Sequence, residues 1–289
     1  MINFLKQAAW TSVITNTASI ITFLGTIILA RFISPETFGI YVFCYAAKEI
    51  ISCLCAPSLS QTYLFSSGTK NDLFKVLKIN FFFSIGLAIG TLIAGYLIFL
   101  KYEAQYFYII LIFGLLSILN NFSSIFLAIG EKQMDFKRTS LVRSSALIIS
   151  LVITCVFALI LGDKVLVLVL KEILFSVILI CASYIYFFRK KSFKNLNKTK
   201  KTTSMLLNYS LRSYFPRISE VLSYKIFEML TANILGKNIL GLFYQGLNLV
   251  RTPYRFLGSI TDNILFVHLK KIDKKQRTDD FSSIQNLIL

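Results

Sequence analysis

Several charged side chains stand inside long apolar stretches, and their spacing suggests what they do. In the segment 241–267, Gln245, Asn248, Arg251, Thr252, Arg255, Ser259 and Asp262 recur at three- and four-residue steps. That spacing places them on one face of a helix. Arg251 and Arg255 are one turn apart, with no carboxylate at matching spacing. Two guanidiniums facing one cavity suit a diphosphate, because each donates paired, charge-assisted hydrogen bonds. The segment 206–235 repeats the pattern with Arg217, Glu220, Tyr224, Glu228 and Thr231. Tyr45, Lys48, Glu49 and Ser52 cluster in 40–65, and Lys171, Glu172, Ser176 and Ser183 in 165–188. Charges within a membrane span are costly and are candidates for function by default. Lys48, Arg217, Asn248, Arg251 and Arg255 are therefore the candidate substrate-binding residues, with Arg251, Arg255 and Lys48 set to hold an anionic group. Glu49, Glu172, Glu220 and Glu228 are the candidates for ion coupling. Internal pairing, such as Arg217 with Glu220, competes with both roles.

These residues need helices to hold them. The chain has 289 residues, 55% of them apolar and 16% charged, with a mean hydropathy of +0.67. A soluble domain carries about 25% charged residues. Apolar runs span 8–30, 40–65, 79–100, 106–129, 145–161, 165–188, 206–235 and 241–267. Each is near the ~20 residues a helix needs to cross ~30 Å of hydrocarbon. The expected fold is all-α: a polytopic membrane bundle of eight spans. Within it, "ILARFISPETFGIYVF" (28–43) reads as a tight turn at the membrane surface. Ser34-Pro35-Glu36 caps the second helix, and Arg31 snorkels to the headgroups. Pro57 and Pro216 mark kinks.

The net charge of +17 is unevenly distributed. Of the 31 Lys and Arg residues, 20 fall on the side of the membrane that holds the N-terminus and 4 on the other. That asymmetry puts the N-terminus in the cytoplasm. The basic run "RKKSFKNLNKTKKTTS" (189–204) is then a cytoplasmic connector, read first as a solvated topogenic loop and second as a contact for anionic membrane lipids, and no aromatic platform accompanies it to bind nucleic acid. The five cysteines all fall inside spans with no zinc spacing, and the single His268 has no ligand cluster beside it. Neither a metal nor a cofactor is expected, and the paired acid and base of an enzyme are not apparent.

The connector divides the chain into a six-helix lobe (1–188), a linker (189–205) and the first two helices of a second lobe with a tail (206–289). At an offset of 202, "ARFISPETFGIY" (30–41) lies over "ANILGKNILGLF" (232–243), with Gly39 over Gly241. Such repeats are common in transporters, whose binding site lies between the two halves.

The turn "LARFISPETFGIY", the loop "EKQMDFKRTSLVRS" (131–144) and the stretch "EMLTANILGKNILGLFYQGLNLVRTPYRFLGSITDNILF" (228–266) resemble Wzx-type polysaccharide flippases. These belong to the multidrug/oligosaccharidyl-lipid/polysaccharide exporter superfamily. The resemblance implies twelve or fourteen helices in two lobes around a cavity, so this chain looks C-terminally short. Members usually carry Asp where Glu228 stands and Pro near Val267. The resemblance implies a non-enzymatic flippase of the bacterial cytoplasmic membrane. Its cargo would be undecaprenyl-diphosphate-linked oligosaccharide for O-antigen or capsule, and polysaccharide polymerase machinery would be its neighbour. The alternatives are a multidrug antiporter, an inactive truncated exporter, and a membrane glycan polymerase or ligase.

Overall fold

The computed structural model describes residues 2–55, 57, 59–66, 70–100, 102, 104–189 and 203–260. Side chains 2–9, 203–207, 209, 211–213, 215, 249 and 251–260 are outside that description. So are most of the expected linker and all of the expected tail beyond 260.

The described residues form nine helices in a polytopic all-α bundle. They are α1 (Ile2–Phe32), α2 (Pro35–Cys55), α3 (Leu59–Phe65), α4 (Lys70–Phe99), α5 (Ala104–Lys132), α6 (Phe136–Leu161), α7 (Val165–Ser183), α8 (Thr203–Ile234) and α9 (Lys237–Ile260). α7 continues into a π-helical turn, Tyr184–Arg189. The span expected over 40–65 is broken at Pro57, so α3 is a separate short helix. Proline removes a backbone donor and clashes with the preceding turn. Pro216 is accommodated inside α8.

Six helices among the described residues are long and apolar enough to cross a membrane: those starting at Trp10, Pro35, Lys70, Ala104, Phe136 and Val165. This differs from the eight expected. α8 and α9 have the length, but Arg217, Glu220, Lys225 and Glu228 interrupt α8, and Gln245, Asn248, Arg251 and Arg255 interrupt α9. Their polarity is what the candidate site requires.

Burial separates the helices by role. Of the most apolar window in each, 61% is buried in α2 and 50% in α5, against 17% in the first span and 22% in α4. α2 is thus the central post, packed on α4, α5, α7, α8 and α9. The outer faces of α4 and α6 carry exposed Phe82, Leu97, Leu159 and Ile160, as expected of surfaces that meet lipid. One core cluster joins α2, α5 and α7 through Phe38, Val42, Phe113 and Val167, and reaches Leu240 of α9. A second joins α3, α4 and α5 through Tyr63, Val76 and Leu127. Lys132, at the end of α5, anchors α3. Its ammonium donates to the carbonyls of Tyr63 at 2.8 Å and Ser66 at 2.5 Å, satisfying the free carbonyls at a helix end.

The first turn forms as its sequence dictates. Ser34 caps α2: the Thr37 amide donates to Ser34 Oγ at 3.3 Å, and Pro35 occupies the first helical position. Asp163, from the α6–α7 loop, accepts the Ser34 amide at 3.0 Å. Partial burial opposes ionisation of Asp163, but the hydrogen bonds from Ser34 and Thr37 prevail and hold its carboxyl below the usual 3.8. A depressed carboxyl contributes stability above its ordinary titration range and loses it as pH falls through the depressed value. Asp163→Asn should therefore lower thermal stability slightly at pH 7, by no more than about 1 kcal/mol for an exposed carboxylate. Melting curves of wild type and variant should converge as the pH falls below the ordinary aspartate range.

The second hairpin follows the first at an offset of 202. α1 ends at Phe32 and α8 at Ile234; α2 begins at Pro35 and α9 at Lys237. The Ile33 amide donates to the Leu29 carbonyl and the Leu235 amide to the Thr231 carbonyl, at 3.0 and 2.9 Å. The Phe38–Ser34 and Leu240–Gly236 bonds, at 3.1 and 3.2 Å, are likewise equivalent. Gly236 adopts φ +93°, which an L side chain resists, where the first hairpin has Ser34.

Candidate functional site

The two hairpins meet at their turns. A methyl group on Gly39 would lie 1.8 Å from the Lys237 carbonyl oxygen, and one on Gly241 would lie 1.8 Å from the Pro35 carbonyl oxygen. These contacts exchange under the same 202-residue offset, so the crossing has the reciprocal geometry of a local two-fold axis. Glycine is needed at both positions because backbone touches backbone. Beside the crossing, Lys237 lies over the rings of Tyr106 at 4.5 Å and Tyr102 at 5.7 Å, and the Tyr102 hydroxyl donates to Asn233. This end of the α2–α9 interface is tightly closed.

Beyond the crossing, α1, α2, α6, α7 and α9 enclose a cavity of ≈ 200 Å³. α1 supplies Ser19, Thr22 and Thr26; α2 supplies Tyr41 and Tyr45; α7 supplies Lys171 and Glu172; and α9 supplies Tyr244, Gln245 and Asn248. Ser19, Thr22 and Thr26, spaced three and four residues apart, thus present one hydroxyl-bearing face of α1 to the cavity. Each hydroxyl also donates back to its own helix: Ser19 to the Thr15 carbonyl at 2.9 Å, Thr22 to Ala18 at 2.7 Å, and Thr26 to Thr22 at 2.8 Å. The oxygens that remain can only accept. The Tyr41 hydroxyl donates to Glu172 Oε1 at 2.9 Å, and Lys171 Nζ lies 3.7 Å from the same oxygen. Tyr41 and Tyr45 stack with centroids 5.8 Å apart.

One turn further along α2, Lys48 pairs with Glu49 at 2.7 Å and lies 4.3 Å from the centre of the Tyr45 ring. Lys225 of α8 lies 5.5 Å from the same ring and pairs with Glu228 at 2.7 Å. Tyr45 therefore links charges from both hairpins. Arg217 and Lys225 lie close enough to Glu49 to act on it electrostatically. Arg217 and Glu220 are exposed, and the Arg217 carbonyl lies 3.8 Å from Cys53 Sγ.

The structure thus brings together Asn248 and Glu172 at the cavity, and Lys48, Glu49, Arg217 and Glu228 at the adjoining α2–α8 interface. Arg251 and Arg255 lie in α9, with their side chains outside the described residues. Residues not singled out from sequence are Tyr41, Tyr244 and Lys225. The signal for Lys225 was its three-residue spacing from Glu228, which pairs side chains on a helix. Tyr41 and Tyr244 carried no comparable signal, since a tyrosine in an apolar run looks the same whether it lines a cavity or fills a core. Among the described residues no group of His, Cys, Asp and Glu could hold a metal.

The Lys225–Glu228 pair makes a strong prediction about stability. Glu228 is 1% exposed, and its Oε1 has no hydrogen-bond partner among the described residues. Removing one partner of a buried pair leaves an unmatched charge, at a cost of about 3 kcal/mol. Lys225→Met should therefore lower the melting temperature of the purified protein sharply. Lys225→Met combined with Glu228→Leu should recover most of the loss, as a double-mutant cycle on thermal unfolding would show.

A family model described as "Polysaccharide biosynthesis protein" matches residues 28–285. No curated protein and no solved structure matches the chain.

Proposed function

We propose, on the premise that the chain belongs to the polysaccharide biosynthesis protein family matching residues 28–285, that this multi-pass membrane protein is a flippase. In this reading it moves undecaprenyl-diphosphate-linked oligosaccharide across the bacterial cytoplasmic membrane for O-antigen or capsule synthesis. The N-terminus is cytoplasmic, and no covalent step occurs. One observation carries the reading: the family match runs from the end of α1 through α9, so it covers both turns and their crossing, and the cavity beside that crossing is lined by hydroxyls, amides and tyrosines. The glycan occupies that cavity, cationic groups hold the diphosphate, and the polyprenyl tail stays in lipid. Movement of one hairpin against the other exposes the cavity to each leaflet in turn. Polysaccharide polymerase machinery would then receive the cargo.

A multidrug antiporter of the same superfamily is the main alternative. Binding of a cationic drug calls for an uncompensated carboxylate, and Glu172 is already matched by Lys171 and Tyr41. Depleting the protein in its host is the direct test. Surface polysaccharide should fall while lipid-linked repeat units accumulate, glycan inward, in the inner leaflet. Unchanged surface polysaccharide together with drug hypersensitivity would replace this reading with the antiporter.

A further inference from the structure

We infer that the cavity between α1, α2, α7 and α9 is a subsite for one uncharged, hydroxyl-rich sugar ring, and that it discriminates against acidic sugars. The inference rests on the flippase reading and adds the class of sugar. Size is the first argument. At ≈ 200 Å³ the cavity is on the scale of a single sugar ring. It is smaller than the ~300 Å³ at which sites for drug-sized ligands begin.

Hydrogen-bond polarity is the second argument. Ser19, Thr22 and Thr26 spend their protons on their own helix, so the α1 wall offers acceptors. Across from them the Glu172 carboxylate also accepts. The Gln245 and Asn248 amides and Lys171 add donors to these acceptors, so the lining suits a ligand that both donates and accepts. Sugar hydroxyls do both, whereas an ionised carboxylate only accepts.

Charge is the third. The charged residues lining the cavity are Lys171 and Glu172, and they cancel at 3.7 Å. A second carboxylate here would meet Glu172 in a low-dielectric site with no other cation among the described side chains that line it, where like-charge repulsion is large.

The test reconstitutes the protein in vesicles with two probes. One is a polyprenyl-diphosphate neutral disaccharide; the other is the same molecule oxidised at C6 of the cavity-bound sugar to a uronic acid. The diphosphate and tail are shared, so their ratio reports the sugar site alone. The neutral probe should be translocated about tenfold faster, a factor equivalent to ~1.4 kcal/mol. Glu172→Gln leaves Lys171 unmatched and should shift the ratio towards the acidic probe. Lys171→Gln should shift it the other way. Equal or faster movement of the acidic probe by wild type overturns the inference and leaves the flippase reading intact. The wild-type ratio decides this even where a variant folds poorly. If neither probe moves, the flippase reading falls and the inference falls with it.

Discussion

Replacing Gly39 with leucine should force the α2–α9 crossing apart and open the cavity to the side of the membrane where the hairpins turn. The first carbon of the new side chain would overlap the Lys237 carbonyl oxygen at 1.8 Å. Backbone cannot step aside as a flexible side chain can, so the two helix starts must separate. Gly241→Leu should have the same effect, because its first carbon would overlap the Pro35 carbonyl oxygen at the same distance. Overpacking a well-packed contact costs about 1–3 kcal/mol. That is enough to change the population of a closed state by about fivefold to a hundredfold. The measurement is labelling of a cysteine introduced at Gln245, with a membrane-impermeant reagent added on the turn side. Labelling should rise in either leucine variant, and the double variant should add little, because both act on one crossing. Gly86→Leu is the control, since nothing lies within 4 Å of a carbon placed there. Unchanged labelling in both variants would show that the crossing does not seal the cavity.

The same crossing shows how much the sequence disclosed. Helix existence was legible because hydrocarbon leaves little choice: a long apolar run must satisfy its backbone internally, and a helix does so. The first turn was legible down to its cap, since Ser34-Pro35 has few other uses. The offset of 202 was legible as a weak alignment of Gly39 with Gly241. Its physical meaning was not, because the sequence does not say that each glycine faces the other hairpin's backbone. Lys48 illustrates a further limit. Its burial suggests an anion-binding cation, yet Glu49, the next residue, takes its charge at 2.7 Å. Neighbours in a helix point in different directions, so adjacent opposite charges are not read as a pair. Long side chains bend back where burial favours it. α8 and α9 were read as spans in spite of their charges, and those charges keep them out of the six described helices that are apolar enough to cross a membrane by composition.

Alanine at Arg251 and Arg255 should have the largest functional effect of any change in α9. The lysines of the described site are already matched: Lys48 by Glu49, Lys171 by Glu172 and Lys225 by Glu228. A diphosphate carries negative charge that those pairs cannot neutralise without leaving a carboxylate exposed to hydrocarbon. Positive charge for it must come from elsewhere. Arg251 and Arg255 follow Asn248 at steps of three and four along α9, with no carboxylate at matching spacing. Losing two bidentate contacts, at no less than about 1.5 kcal/mol each, corresponds to at least roughly a hundredfold drop in rate. Arg251→Ala/Arg255→Ala should therefore abolish measurable surface polysaccharide while the protein still reaches the membrane, as immunoblotting of membrane fractions would establish. Lysine at both positions should restore export only in part, because an ammonium keeps the charge but loses the planar, bidentate contact. Transport of the polyprenyl-diphosphate probe should fall equally for neutral and acidic sugars, since the diphosphate is common to both. Wild-type export from the double alanine variant would move the diphosphate site away from α9 altogether. A drop confined to one sugar class would instead place the two arginines at the glycan.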